Sequence, residues 1–126
     1  MTKRLTVIIV LVLITRFSII AQTSPAPAPS VPASFDAISG TIRNSRFIIN
    51  WVVNNNQTAD QFEIEKSTDG KNFSLAGIVF GTDIATYNNY QFFEKASGVK
   101  TIYRIKLVSK NKTAYYSSLI EINPAS

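Results

Sequence analysis

Eight carboxylates, with no histidine and no cysteine, set the limits on the chemistry open to this 126-residue chain. Without imidazole or thiol, the usual nucleophile–base pairs and soft metal-ligand sets are absent, so a catalyst would have to be built from carboxylates, hydroxyls or lysine. Glu63 and Glu65 have the one spacing with a chemical precedent. Two residues apart on an extended strand, they stand about 6.6–7 Å apart, within the separation used for inverting glycoside hydrolysis. They share one outward face beside Lys66, however, and do not flank a substrate from two sides. A solvated sheet surface is the expected role, and a small carboxylate-dependent hydrolase is the distant alternative.

The remaining candidates are weaker. Asp69 and Asp83 lack the dense oxygen-bearing loop that a calcium ion needs, and Asp69 next to Gly70 reads as a turn. The run STDGKN at 67–72 has one glycine and no downstream helix, so it does not form a phosphate cradle. Asn56, Asn72 and Asn111 each head an Asn-x-Ser/Thr triplet, read here as loop polarity. No catalytic, cofactor-binding or metal-ligating residue is expected, and no cofactor. Four aromatics fit the core alternation poorly: Tyr87, Phe93, Tyr115 and Tyr116. Of these, Tyr87, Tyr115 and Tyr116 are the candidate ligand-contact surface, able to stack on sugar if they converge.

Much of the apparent basicity belongs to the N-terminus. Lys3, Arg4 and Arg16 are three of the 13 basic residues and precede the first acid, Asp36, which leaves ten against eight and a net charge of +2. That balance does not make the footprint of a nucleic-acid binder, and no nucleic-acid partner is expected. Lys3 and Arg4 followed by the apolar run Leu5 to Ile14 read as a secretory leader over residues 1–21. The run is shorter than the roughly 20 residues that span hydrocarbon. Cleavage is therefore expected, with an uncleaved anchor, and hence membrane contact, as the alternative. Residues 22–34, with Pro25, Pro27, Pro29 and Pro32, read as an extended polyproline-type linker. Without cysteine there are no disulfides, and stability must come from apolar burial.

From 35 to 122 the chain alternates with period two and keeps no helical period. Phe47, Ile49 and Trp51 share one strand face; Phe62 and Ile64 share another, opposite Gln61, Glu63 and Glu65. Phe73 and Leu75 are expected to share an inward face past the Asp69–Gly70 turn, and Tyr90 and Phe92 to resume it. Tyr103, Ile105 and Leu107 point inward, with Arg104 and Lys106 outward. Counting an opening strand around Phe35 to Thr41 and a last one from about Ala114 to Ile122 gives seven strands. The expected fold class is all-β, a seven-stranded two-layer sandwich, with a small closed barrel as the alternative. The expected core is Phe47, Ile49, Trp51, Phe62, Ile64, Phe73, Phe92, Tyr103, Ile105 and Leu107.

The segments INW at 49–51, FEIEKSTDGKNF at 62–73, YQFFE at 90–94, YRIKLV at 103–108 and YYSSLIEI at 115–122 carry a resemblance. The chain resembles the fibronectin type III-like domains of exported Bacteroidetes proteins, often found beside a C-terminal secretion-sorting domain. That resemblance implies a seven-stranded immunoglobulin-like, fibronectin type III-like sandwich in which Trp51 packs against Tyr103 and FEIEKS and NFSLAG form a hairpin. It also implies a noncatalytic recognition, adhesion or envelope-assembly role. The chain departs from the pattern in having only residues 123–126, NPAS, as a tail in place of a sorting domain. The expected location is secreted, periplasmic or cell-surface. The expected partner is an envelope or extracellular protein, contacted by a sheet face or edge, with a polysaccharide as the alternative.

Overall fold

Uninterrupted alternation of apolar and polar side chains favours extended backbone, because each face of a pleated strand then meets one kind of surroundings. The computed structural model describes residues 31–84 and 86–124. The strands are β1 (Ser34–Arg43), β2 (Arg46–Asn54), β3 (Ala59–Ser67), β4 (Ser74–Phe80), β5 (Tyr87–Lys95), β6 (Thr101–Ser109), β7 (Ala114–Tyr116) and β8 (Ile120–Ile122). A turn of 3-10 helix, Asn56–Thr58, joins β2 to β3. The leader expected over residues 1–21 and the linker as far as residue 30 lie outside the described residues.

All pairings are antiparallel and make two sheets. One is three-stranded in the order β1-β2-β5; the other has five strands in the order β4-β3-β6-β7, with β8 also on β6. Their inner faces meet in one core, to which β2 brings Phe47, Ile49, Trp51 and Val53, and β6 brings Tyr103, Ile105 and Leu107. Phe62, Ile64, Tyr90, Ile120 and Ile122 complete it. This is an all-β sandwich.

Eight strands stand where seven are expected, because the last one is interrupted. β7 and β8 both pair with β6, β7 over Lys106–Val108 and β8 over Thr101–Tyr103. Between them Ser117 replaces a strand residue in the ladder. Its N–H donates to the Ile105 carbonyl at 2.8 Å, and its Oγ accepts the Ile105 N–H at 2.8 Å. Leu119 is exposed, while Ile120 and Ile122 return to the core.

Phe47, Ile49, Trp51, Phe62, Ile64, Tyr103, Ile105 and Leu107 are each no more than 1 % exposed. Phe73 is the correction to the expected core. It is half-buried, precedes β4, and lies beneath the Arg104 guanidinium at 4.0 Å. Leu75 is likewise outward and 56 % exposed. A register shift between Ile64 and Glu65 is responsible: Ile64 opposes Gly77 while Glu65 already opposes Leu75, so Val79 and Gly77 take the inner face. Phe92 is partly buried, and its ring fills the place where a Cβ on Gly77 would stand, 2.6 Å from Phe92 Cε1. A side chain larger than hydrogen at Gly77 would displace the Phe92 ring.

The implied contact between Trp51 and Tyr103 is replaced by two separate pairings. Trp51 stacks on Tyr90, its cross-strand partner, with ring centroids 5.7 Å apart, and meets the edge of Phe62 at 5.5 Å. Tyr103 meets Phe47 edge-on at 6.1 Å. Phe47 and Trp51 are four residues apart on β2, about 13 Å along a strand, so one residue of β6 cannot serve both. The β3–β4 hairpin is present, closed by residues 68–73 with Gly70 at φ 78°.

Candidate functional site

Glu63 and Glu65 of β3 lie on the outer face of the five-stranded sheet and are occupied by cations of β6. Glu65 Oε1 accepts from Arg104 Nε at 2.6 Å; Glu63 lies 3.9 Å from Lys106 Nζ and accepts from Gln61 Nε2 at 2.8 Å. Arg104 is stacked between two rings, Phe73 at 4.0 Å and Tyr116 at 4.4 Å. This is a self-satisfied surface cluster, held by charge-assisted bonds and ring contacts, with neither carboxylate aimed at an opposing acid.

Asp69 closes the β3–β4 turn. Its Oδ1 accepts the N–H groups of Lys71 and Asn72 at 2.8 and 2.9 Å and the Ser67 hydroxyl at 2.8 Å. The two backbone donors, foremost Asn72, hold its pKa well below the ordinary carboxylate value. Asp83 pairs with Lys110 at 2.8 Å, whose hydrogen bond and charge lower its pKa as well. Among the described residues no group of three His, Cys, Asp or Glu could hold a metal ion.

Asn56 is no loop amide. It is fully buried and ties the 3-10 turn to residues 82–84: its Nδ2 donates to the Thr82 carbonyl at 3.0 Å, Thr82 Oγ1 at 3.1 Å and the Ile84 carbonyl at 2.8 Å. Its Oδ1 accepts from the Tyr90 hydroxyl. With every polar atom engaged, the side chain is closed to glycosylation in the folded chain. Asn72 and Asn111 are exposed.

The three candidate tyrosines do not converge. Tyr87 begins β5 on the outer face of the three-stranded sheet, 54 % exposed. Tyr115 and Tyr116 are neighbours on β7 and point to opposite sides of it. Tyr116 packs on Arg104, whereas Tyr115 lines a shallow depression with Pro32, Ala33 and Phe35.

A polar mouth at one end of the core is a feature the sequence reading missed. The inward series Phe62, Ile64 on β3 ends in Lys66, and the inward series Tyr90, Phe92 on β5 ends in Glu94. Across the gap between the sheets Lys66 Nζ reaches both Glu94 oxygens, at 3.1 and 3.2 Å, and Tyr103 donates its hydroxyl to Glu94 Oε2 at 2.6 Å. Burial, and then the Glu94 carboxylate, push the Tyr103 hydroxyl pKa far above its ordinary value. Beside this trio is a cavity of about 240 Å³ lined also by Ser67, Asn72, Ser97 and Thr101. Several of its hydroxyls are bonded within the wall, as Ser67 to Asp69 and Ser97 to Thr101. A charged residue at the last inward position of each of two strands was the available sequence signal.

The edge strand β4, SLAGIVF, where Gly77 and Gly81 mark an expected bend or edge near Ile78 to Phe80, carries no charge. Pairing with β3 on one side only, it shows Leu75, Ile78 and Phe80 as an outward apolar row, 56, 44 and 71 % exposed.

No protein-family model matches the chain, and no curated protein matches it. Among solved structures the chain is similar to a pectate lyase of Pectobacterium carotovorum, at 14 % sequence identity and a TM-score of 0.50. The likeness covers 72 % of this chain and 28 % of the lyase chain, and is one of fold alone.

Proposed function

We propose that the chain is an exported, noncatalytic recognition or assembly module of the fibronectin type III-like kind, which takes up a partner polypeptide along β4. The observation that carries this reading is the undefended edge. Natural edge strands are usually blunted by charge, proline, a bulge twisting away or a covering loop, because a free row of backbone donors and acceptors invites another strand. β4 has a bulge at Ala76 but neither charge nor proline, and it combines an open side with three exposed apolar side chains. An added strand would satisfy the free backbone groups, while pockets against Leu75, Ile78 and Phe80 would give selectivity. The strand order β1-β2-β5 facing β4-β3-β6-β7 is compatible with a fibronectin type III-like arrangement. Export rests on the leader of residues 1–21, and the noncatalytic reading on the lack of His and Cys and on Glu63, Glu65, Asp69 and Glu94 being engaged by cations, backbone or Tyr103.

The test is native capture from envelope material by the full chain, followed by amide hydrogen exchange. A bound partner should slow exchange across Ser74–Phe80, and Leu75→Lys with Ile78→Lys should cut retention by about tenfold without moving the unfolding midpoint. A partner that binds the double variant equally well, or exchange unchanged in β4, counts against this reading.

A further inference from the structure

The outer face of the three-stranded sheet differs in kind from the surfaces described above. The turn Asn44–Ser45, both residues at positive φ (51° and 63°), has the form that sets flanking residues directly opposite one another. Arg43 therefore opposes Arg46, and Arg46 opposes Lys95 on its other side. Three cations occupy one rung, all exposed, and none has an acid within ion-pair distance among the described residues. No Asp or Glu precedes Asp36, so the leader and linker supply none. Like charges directly opposite on a sheet work against folding, so this rung does nothing for stability.

The outward residues beyond it form an ordered gradient. The next rung is Thr41, Ile48 and Phe93, with the Arg46 guanidinium 4.9 Å from the Phe93 ring centroid. That stacking holds a planar fork suited to a carboxylate at a fixed place. Then come Ser39, Asn50 and Gln91, where Gln91 Nε2 donates to Asn50 Oδ1 at 2.9 Å and leaves the Asn50 amide and the Gln91 carbonyl for another partner. Asn89 and Tyr87 continue the β5 row. From Lys95 to Tyr87 the row extends about 27 Å.

We infer that this face binds an extended acidic polysaccharide, its carboxylates on Arg43, Arg46 and Lys95 and its following sugars along Phe93, Gln91, Asn89 and Tyr87. The inference rests on the chain being a noncatalytic recognition module and names a second ligand class on a second surface. Charge complementarity selects an anion, and the amide rungs select hydroxyl-rich repeats over other polyanions. An anionic lipid surface would need apolar residues at the cationic end, where Asn44 and Ser45 stand instead.

The test is affinity electrophoresis and titration of the full chain with polygalacturonate, with neutral dextran and phosphatidylglycerol vesicles as controls. The chain should bind polygalacturonate and not dextran, less tightly as salt rises. Replacing Arg43, Arg46 and Lys95 together by serine should weaken binding by about tenfold or more, and Arg46→Lys should weaken it severalfold at unchanged charge. The triple variant should keep its unfolding midpoint; should it fail to fold, Gln91→Ala serves in its place and should also weaken binding. Equal binding by these variants, equal binding to dextran, or binding to the vesicles but not to polygalacturonate would overturn the inference. Loss of polysaccharide binding with β4-dependent capture intact removes this inference alone, whereas loss of both removes the recognition reading beneath it.

Discussion

The two ends of the sandwich are closed by buried tyrosines that solve the same problem differently. At one end Tyr90 donates to the amide of Asn56, whose own donors are spent on Thr82 and Ile84; the bonded groups there are neutral. At the other end Tyr103 donates to Glu94, which also holds Lys66 across the sheets beside an open cavity. A neutral knot gives changes of pH and salt no ion pair to act on. An ionic mouth makes stability depend on both, since its strength rests on charges that solvent can reach.

The largest effect should come from cutting the knot. Asn56→Ala takes the Asn56 partner from two part-buried carbonyls and from the Tyr90 hydroxyl, and should cost about 3 kcal/mol in urea unfolding. Asn56→Asp sharpens the contrast. A carboxylate facing the Thr82 and Ile84 carbonyls is disfavoured while ionised, so this variant should be most unstable at neutral pH and recover as it is acidified. A knot variant that loses no more than a surface substitution would erase the difference between the ends.

Glu94→Gln should cost less, about 1–2 kcal/mol, because Lys66 is 40 % exposed in its side chain and water screens that part of the interaction. Its loss should shrink in high salt, unlike that of Asn56→Ala. Tyr103→Phe probes the same end from the alkaline side. The Tyr103 pKa is raised in the folded chain, so its stabilising contribution is complete below the ordinary value of 10.0 and is withdrawn as pH climbs past it toward the folded value. Wild-type chain should therefore lose stability more steeply above about pH 10 than Tyr103→Phe, read from thermal midpoints. The smallest effect belongs to Asp69→Asn. Asp69 has a depressed pKa, so its contribution is present above the ordinary 3.8 and disappears as pH falls through the folded value. The variant should have a slightly lower midpoint at neutral pH, and the two chains should converge in strong acid.

The legible and illegible parts of the molecule divide along a physical line. Strand residues such as Phe62, Ile64, Tyr103 and Ile105 announce their burial by local alternation, which needs no knowledge of the partner strand. Phe73 and Leu75 misled because a register shift between Ile64 and Glu65 changes the phase of β4, and Gly77, which sits at that shift, marks a bend without giving its phase. The same blindness applied to Ser117, whose hydroxyl replaces a backbone acceptor in the ladder. Tyr87, Tyr115 and Tyr116 were legible as poorly buried aromatics but not as residues on three different surfaces.

The alternation along each segment, the absence of His and Cys and the turn residues by themselves determined an all-β chain closed by apolar burial, without the side chains of the commonest catalytic sites. Only the tertiary structure decided that Lys66 meets Glu94, that Arg104 is paired while Arg43, Arg46 and Lys95 share a rung without an acid, and that Asn56 is buried. Those outcomes depend on which strands lie side by side and in what register. Both are set by the packing of distant segments against each other, and a pattern with a period of two residues repeats too soon to encode them.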